Sequence, residues 1–152
     1  MLTNIFEEYM HKVERFHDIS CGHRVVGHES KCQYLHGHNY RIHFTCVSEE
    51  LDNIGRVIDF SVIKEKLCMW LEENYDHKML IWYKDPLLED LKRISNDSIV
   101  VLPFNPTAEN IAEHLVKVIA PTLLKDTCVE LIECKVEETR KCSAIYSKEK
   151  KK

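Results

Sequence analysis

An α+β fold is predicted: an antiparallel four-stranded sheet with two helices on one face. Segments with strand-like alternation come in pairs at both ends of the chain. Two capped segments with helical apolar spacing lie between them. The resulting order of strands, then helices, then strands fits a layer of helices segregated to one face of a sheet.

Lys12 to Ile19 is predicted as the first strand. His36 to Val47 is predicted as the second, with Tyr40, Ile42 and Phe44 sharing a face. Gly55 then turns the chain. Asp59 is placed to cap a helix running roughly to Asn74. Phe60, Ile63, Leu67, Trp70 and Leu71 form its apolar side, a stripe for packing against the sheet. Within Trp82 to Phe104, Pro86 marks the start of a short helix, and Ile99-Val100-Val101-Leu102 reads as an added strand. Thr107, preceded by Pro106, caps a second main helix with Ala108, Ile111, Ala112, Leu115, Val118 and Ile119 on its apolar face; Pro121 is expected to end it. Val129 to Val136 is predicted as a strand with Ile132, Cys134, Val136 and Glu138 in phase, and Ser143 to Tyr146 as the last.

The chemistry-bearing stretch is Lys31-Cys32-Gln33-Tyr34-Leu35-His36-Gly37-His38-Asn39-Tyr40. Residues i and i+2 of a strand share a face, so His36 and His38 can reach one metal ion. His23, in Ser20-Cys21-Gly22-His23-Arg24, ends the preceding apolar segment and supplies a third imidazole. Three imidazoles with an open fourth position describe a catalytic zinc site. The alternative is a closed, non-catalytic site in which Cys32 is the fourth ligand. His43 is out of step with the pair and should face away, His114 falls inside a helix, His11 and His17 flank the first strand, and His28 is left open.

Several stretches, in order, resemble the 6-pyruvoyltetrahydropterin synthase and 6-carboxytetrahydropterin synthase family. They are Ser20-Cys21-Gly22-His23-Arg24, Cys32 with His36-Gly37-His38, Tyr75-Asp76-His77-Lys78, Asn105-Pro106-Thr107-Ala108-Glu109-Asn110, and Val136-Glu137-Glu138-Thr139 with Tyr146. The resemblance implies that His23, His36 and His38 bind Zn²⁺, that Cys32 is the catalytic base, and that Asp76 and His77 form a second proton-carrying pair. It also implies that Glu138 and Thr139 anchor a pterin ring. It extends the fold to a tunnelling fold whose sheets join edge to edge into an oligomeric barrel, a hexamer, which would close the sheet's open edges. The short Cys-x-x-x-His-Gly-His spacing is similar to the 6-carboxytetrahydropterin branch. The expected reaction is zinc-dependent conversion of 7,8-dihydroneopterin triphosphate to 6-carboxytetrahydropterin, releasing triphosphate and acetaldehyde, in queuosine-type synthesis. The pyruvoyl synthase is the alternative. The chain departs from the family in carrying extra residues at about 82–104. Arg24, Lys31 and Lys78 are candidates for the triphosphate, or are ordinary surface charges. Glu138 is preferred over Glu137 by strand phase, although a bulge would exchange them.

With 152 residues, the chain is expected to form one domain, 1–152. A net charge of −4 gives no basic face for nucleic acid. No apolar run approaches a membrane span, the first residues do not read as a signal peptide, and the tail Lys148 to Lys152 reads as a solvated end. Seven cysteines at 21, 32, 46, 68, 128, 134 and 142 make no disulfide framework; six are expected as apolar fillers, Cys32 standing apart. Such thiol usage fits a reducing cytoplasm.

Overall fold

The computed structural model describes residues 10–148. The first residues and the lysine-rich tail beyond Lys148, for which no leader and a solvated end are expected, lie outside them.

Strand β1 (Lys12–His23) pairs antiparallel with β2 (His36–Val47), from Lys12 opposite Val47 to His23 opposite His36. β1 therefore runs past Ile19, its predicted end, carrying Cys21 and His23 on the inner face. Gly22 is disfavoured in a strand by propensity, but a continuous register with β2 overrides it. At Gly37 a Cβ would lie 3.2 Å from the Cys21 carbonyl, so the strands approach where a side chain would crowd the ladder.

Helix α1 spans 60–74 in three windings: Phe60–Ile63, a π-helical turn Lys64–Cys68, and Met69–Asn74. The Asp59 carboxylate accepts the Ser61 N–H, as its capping position predicts. β3 (Met79–Trp82), α2 (Leu88–Ser95) and β4 (Ile99–Leu102) follow. Helix α3 spans 108–123 as Ala108–His114, a π-helical turn Leu115–Ile119, and Ala120–Leu123, with the Thr107 hydroxyl accepting the Asn110 N–H. β5 (Glu130–Glu137) and β6 (Ser143–Ser147) complete the chain.

The sheet has six strands in the order β4-β3-β1-β2-β5-β6 and is mixed, which corrects the four-stranded antiparallel expectation. β3 runs parallel to β1 and to β4. A parallel pair needs a crossover, and α2 supplies it. The segment 82–104 thus holds the expected short helix and strand, and together with Met79–Trp82 it widens the sheet by two strands. β3 is a four-residue apolar run without alternation, which sequence period cannot classify.

The core lies between the inner sheet face and the helices, with Tyr40, Ile42, Phe44, Ile63, Leu71, Leu80, Ile111, Leu115 and Val116 buried within it. Two apolar stripes differ from expectation. Phe60 is 54% exposed, and Val118 is 53% exposed while Val116 is buried. Buried residues recur every four positions (Ile63, Leu67, Leu71, Tyr75; Ala108, Ala112, Val116, Ala120), and the π-helical turns hold this spacing where a 3.6-residue period would drift. Pro121 does not end α3. It sits in the first turn of the final α winding, where its missing N–H costs least.

All seven cysteines are free; Cys21, Cys46, Cys68 and Cys134 are buried fillers, whereas Cys128 and Cys142 are exposed. No helix among the described residues is long and apolar enough to cross a membrane.

Candidate active site

His23, at the inner end of β1, meets His36 and His38 from β2 because His23 pairs directly with His36 in the antiparallel register. Their ring centroids lie 4.6 Å (His23–His36), 4.9 Å (His36–His38) and 5.2 Å (His23–His38) apart. One nitrogen from each ring lies within 4.8 Å of the others, a group that can hold a metal ion. Cys32 is not part of that group.

The hydrogen bonding defines the tautomers. His23 Nδ1 lies 2.6 Å from the Pro106 carbonyl, and His36 Nδ1 lies 2.6 Å from the Tyr34 carbonyl. A carbonyl only accepts, so each Nδ1 carries the proton and each Nε2 presents a lone pair. The Nε2 atoms of all three histidines are buried and have no hydrogen-bond partner. Buried polar atoms are normally satisfied. Three such nitrogens converging on one point, with a Glu138 carboxylate oxygen 3.3 Å from His38 Nε2, fit a cation bound by neutral imidazoles.

Burial lowers the His23 and His38 ring pKa values, with the neighbouring Glu138 opposing it. Neutral rings are the form that ligates a metal. Tyr40 packs its ring 5.4 Å from His38 and 5.8 Å from His23, and burial pushes its phenol far above its usual range. It forms a floor to the group.

Cys32 is carried by a 3₁₀ turn, Lys31–Gln33, in the long β1–β2 connection. It is half-buried and lines a cavity of about 320 Å³ with His28, Thr107, Glu109, Glu138 and Cys142. Burial instead pushes the Cys21 thiol up to about 12, which keeps that thiol protonated and inert.

Glu138 follows the last residue of β5, and its Oε1 lies 3.3 Å from His38 Nε2. Glu137 points to the other face of the sheet, where it pairs with His43. His43 therefore faces away from the histidine group, as its spacing predicts. The Thr139 hydroxyl accepts the Lys141 and Cys142 N–H groups, pinning the turn that carries Glu138.

Asp76 and His77 lie in the turn after α1. Side chains of adjacent residues can meet only off a strand, and His77 has φ +57°. Its Nδ1 lies 2.6 Å from Asp76 Oδ2. Burial raises the Asp76 pKa, but bonds from the Ser20 N–H and the His77 ring outweigh it and hold the carboxyl below its usual range. The pair opens into a second cavity of about 890 Å³ with Asn39, Arg41, Glu138 and Thr139. Cys32 does not line that cavity, so only Glu138 is common to both.

Of the triphosphate candidates, Arg24 bonds Asp85 and the Gln33 carbonyl, Lys78 donates to the Asp97 carbonyl, and Lys31 is exposed. Glu109 and His28 reach the Cys32 cavity without having been assigned to it beforehand. Glu109 lay within a recognised motif, but its direction depends on where α3 docks.

The sequence model of the 6-pyruvoyl tetrahydropterin synthase family matches residues 12–149. The chain belongs to that family. It is 37% identical over 134 residues to the 6-carboxy-5,6,7,8-tetrahydropterin synthase of Rickettsia typhi, covering 88% of this chain and 97% of the relative. It is 26% identical to the enzyme of that name from Bacillus subtilis over 99% of this chain and 97% of that one. Among solved structures, an uncharacterized protein of Wolinella succinogenes matches with TM-score 0.79 at 24% identity, over 93% and 99% of the two chains. Plasmodium vivax 6-pyruvoyltetrahydropterin synthase matches with TM-score 0.70 at 21% identity, over 92% and 98%. These two likenesses bear on the fold, and they agree with the family in an α+β chain built around a curled sheet.

Proposed function

We propose that this chain is a zinc-dependent 6-carboxy-5,6,7,8-tetrahydropterin synthase. It would convert 7,8-dihydroneopterin triphosphate to the carboxy product with loss of triphosphate and acetaldehyde. The observation that carries the reading is the convergence of three buried Nε2 atoms that make no hydrogen bond, beside a cavity containing Cys32 and Glu138. The names of the relatives and the short spacing from Cys32 to His36 support the carboxy branch and, with it, a place in queuosine-type synthesis.

His23, His36 and His38 would hold the ion. Bound Zn²⁺ supplies Lewis-acid polarisation of a substrate oxygen, which acidifies the neighbouring C–H bonds. Glu138 anchors the ring through the pterin's 2-amino and ring N–H donors, with Thr139 beside it. Cys32 takes the proton from the substrate carbon, and the His77 ring, fixed by Asp76, passes a proton at the other end of the reaction. The free thiols suit a cytoplasmic enzyme, and because His77 and Cys32 line different cavities, we propose that it works as a homo-oligomer, a hexamer by family resemblance. In it, one copy's Asp76–His77 pair completes a neighbour's site.

The test is incubation of zinc-loaded protein with 7,8-dihydroneopterin triphosphate and mass analysis of the products. The carboxy product and acetaldehyde are expected. A 6-pyruvoyl product without acetaldehyde would assign the pyruvoyl activity, and unchanged substrate would favour the non-catalytic zinc module.

A further inference from the structure

Arg24 directly follows the proposed ligand His23, yet its guanidinium is bonded within the protein. Its Nε donates to Asp85 Oδ2 at 2.7 Å, and its Nη1 donates to the Gln33 carbonyl at 3.1 Å. The Asp85 side chain is 0% exposed. Its other oxygen, Oδ1, accepts the Leu87 N–H at 2.8 Å, fixing the carboxylate at the entry to α2. Gln33 ends the 3₁₀ turn whose middle residue is Cys32. The Val25 N–H, one residue beyond Arg24, donates to the Cys32 carbonyl at 2.8 Å. One guanidinium thus ties together the end of β1, the segment 82–104 and the turn that carries Cys32.

We propose that Asp85, acting through Arg24, is a positioning residue that sets the Cys32 turn against the metal-binding histidines. The proposal rests on the reading of Cys32 as the base. A planar guanidinium can serve two acceptors in fixed directions, and a buried carboxylate holds it in one orientation; an ammonium is a point charge and cannot bridge both in that geometry. Proton removal from carbon depends on the base being held at reacting distance, and a displacement of about 1 Å costs on the order of a hundredfold in rate. The segment 82–104 would then contribute to the reaction without touching substrate.

The decisive variant is Arg24→Lys, which keeps a positive charge beside buried Asp85 but gives up the bond to Gln33. We expect kcat to fall about tenfold or more with KM within about twofold, since the proposed ring anchor Glu138 sits on another element. Zinc per chain should stay at the wild-type level. The rate of Cys32 alkylation by iodoacetamide, followed on its own peptide by mass spectrometry, should change several-fold. Asp85→Asn should repeat the pattern. A folded, zinc-loaded Arg24→Lys with wild-type kcat and alkylation rate overturns the proposal. Zinc loss in proportion to activity also overturns it, by moving the effect to His23. If Arg24→Lys does not fold, the neutral pair Arg24→Gln with Asp85→Asn is read by the same measurements and judged by the same outcomes. Full turnover in Cys32→Ala would instead remove the base assignment, a separate failure.

Discussion

His36 and His38 share a strand face, and His23 joins them because it is the cross-strand partner of His36. In the proposed site, all three rings enclose one ion. Replacing His36 with Ala should remove most of the bound zinc, measured by atomic emission on the purified protein; full occupancy would sink the assignment. Cys32→Ala should keep the metal and lose turnover, because Cys32 stands outside the ligand group. Loss of zinc in that variant would revive the closed site. Glu138 and Glu137 differ by which face they reach. The first lies 3.3 Å from His38, and the second is paired with His43. A charge-assisted hydrogen bond is worth about 1.5–3 kcal/mol. Glu138→Gln should therefore weaken substrate binding by about tenfold or more with zinc unchanged, while Glu137→Gln does little. Equilibrium binding of substrate to both variants checks this, and the reverse ranking would move the anchor to Glu137.

The helices carry caps legible in sequence and a winding that is not. The Thr107 hydroxyl meets the Asn110 N–H at the start of α3. Thr107→Ala should cost about 1 kcal/mol, a fall of roughly 2–4 °C in Tm for a chain of this size. Thr107→Ser should recover most of it, and equal melting of the two variants would show the cap to be idle. In the π-helical turn of α3, Val116 is 0% exposed and Val118 is 53% exposed. Val116→Ala should cost roughly 1–3 kcal/mol through the cavity it leaves, while Val118→Ala stays within about 0.5 kcal/mol. Urea unfolding of the two would expose an error of phase at once. Period alone placed Val118 inside, because a 3.6-residue template does not foresee a widened turn.

Across the molecule, several carboxyls have pKa values held below their usual ranges by specific donors: Asp18 by Arg41, Asp52 and Asp59 by backbone N–H and side-chain hydrogen bonds, and Glu137 by His43. Each is a stronger acid folded than unfolded, so the unfolded chain takes up protons first as acid is added. The associated stability is present above the ordinary carboxylate pKa of about 4 and is lost as pH falls through the lower folded values. The urea midpoint should therefore drop between about pH 5 and pH 3; an unchanged midpoint would mean these contacts do not persist in solution.

The sequence by itself determined the residues whose chemistry is short-range. The histidine pair follows from strand alternation and the helix starts at Asp59 and Thr107 from capping, whereas the Asp76–His77 pair is singled out only by the family resemblance. The histidine pair and the caps depend on neighbours a few positions away, so local stereochemistry is sufficient. Only the tertiary structure decided the rest. The six-stranded mixed sheet required the parallel docking of β3, whose four residues carry no periodic signal. Arg24 reads as a free surface cation until Asp85, 61 positions away, is seen beside it. Cys32 and His77 fall near one another in motif order, yet they line separate cavities, because the His77 cavity opens on the outward-facing residues Asp18, Ser20, Asn39 and Arg41 of β1 and β2. Such pairings are set by burial and register between distant segments, and no window of sequence contains both partners.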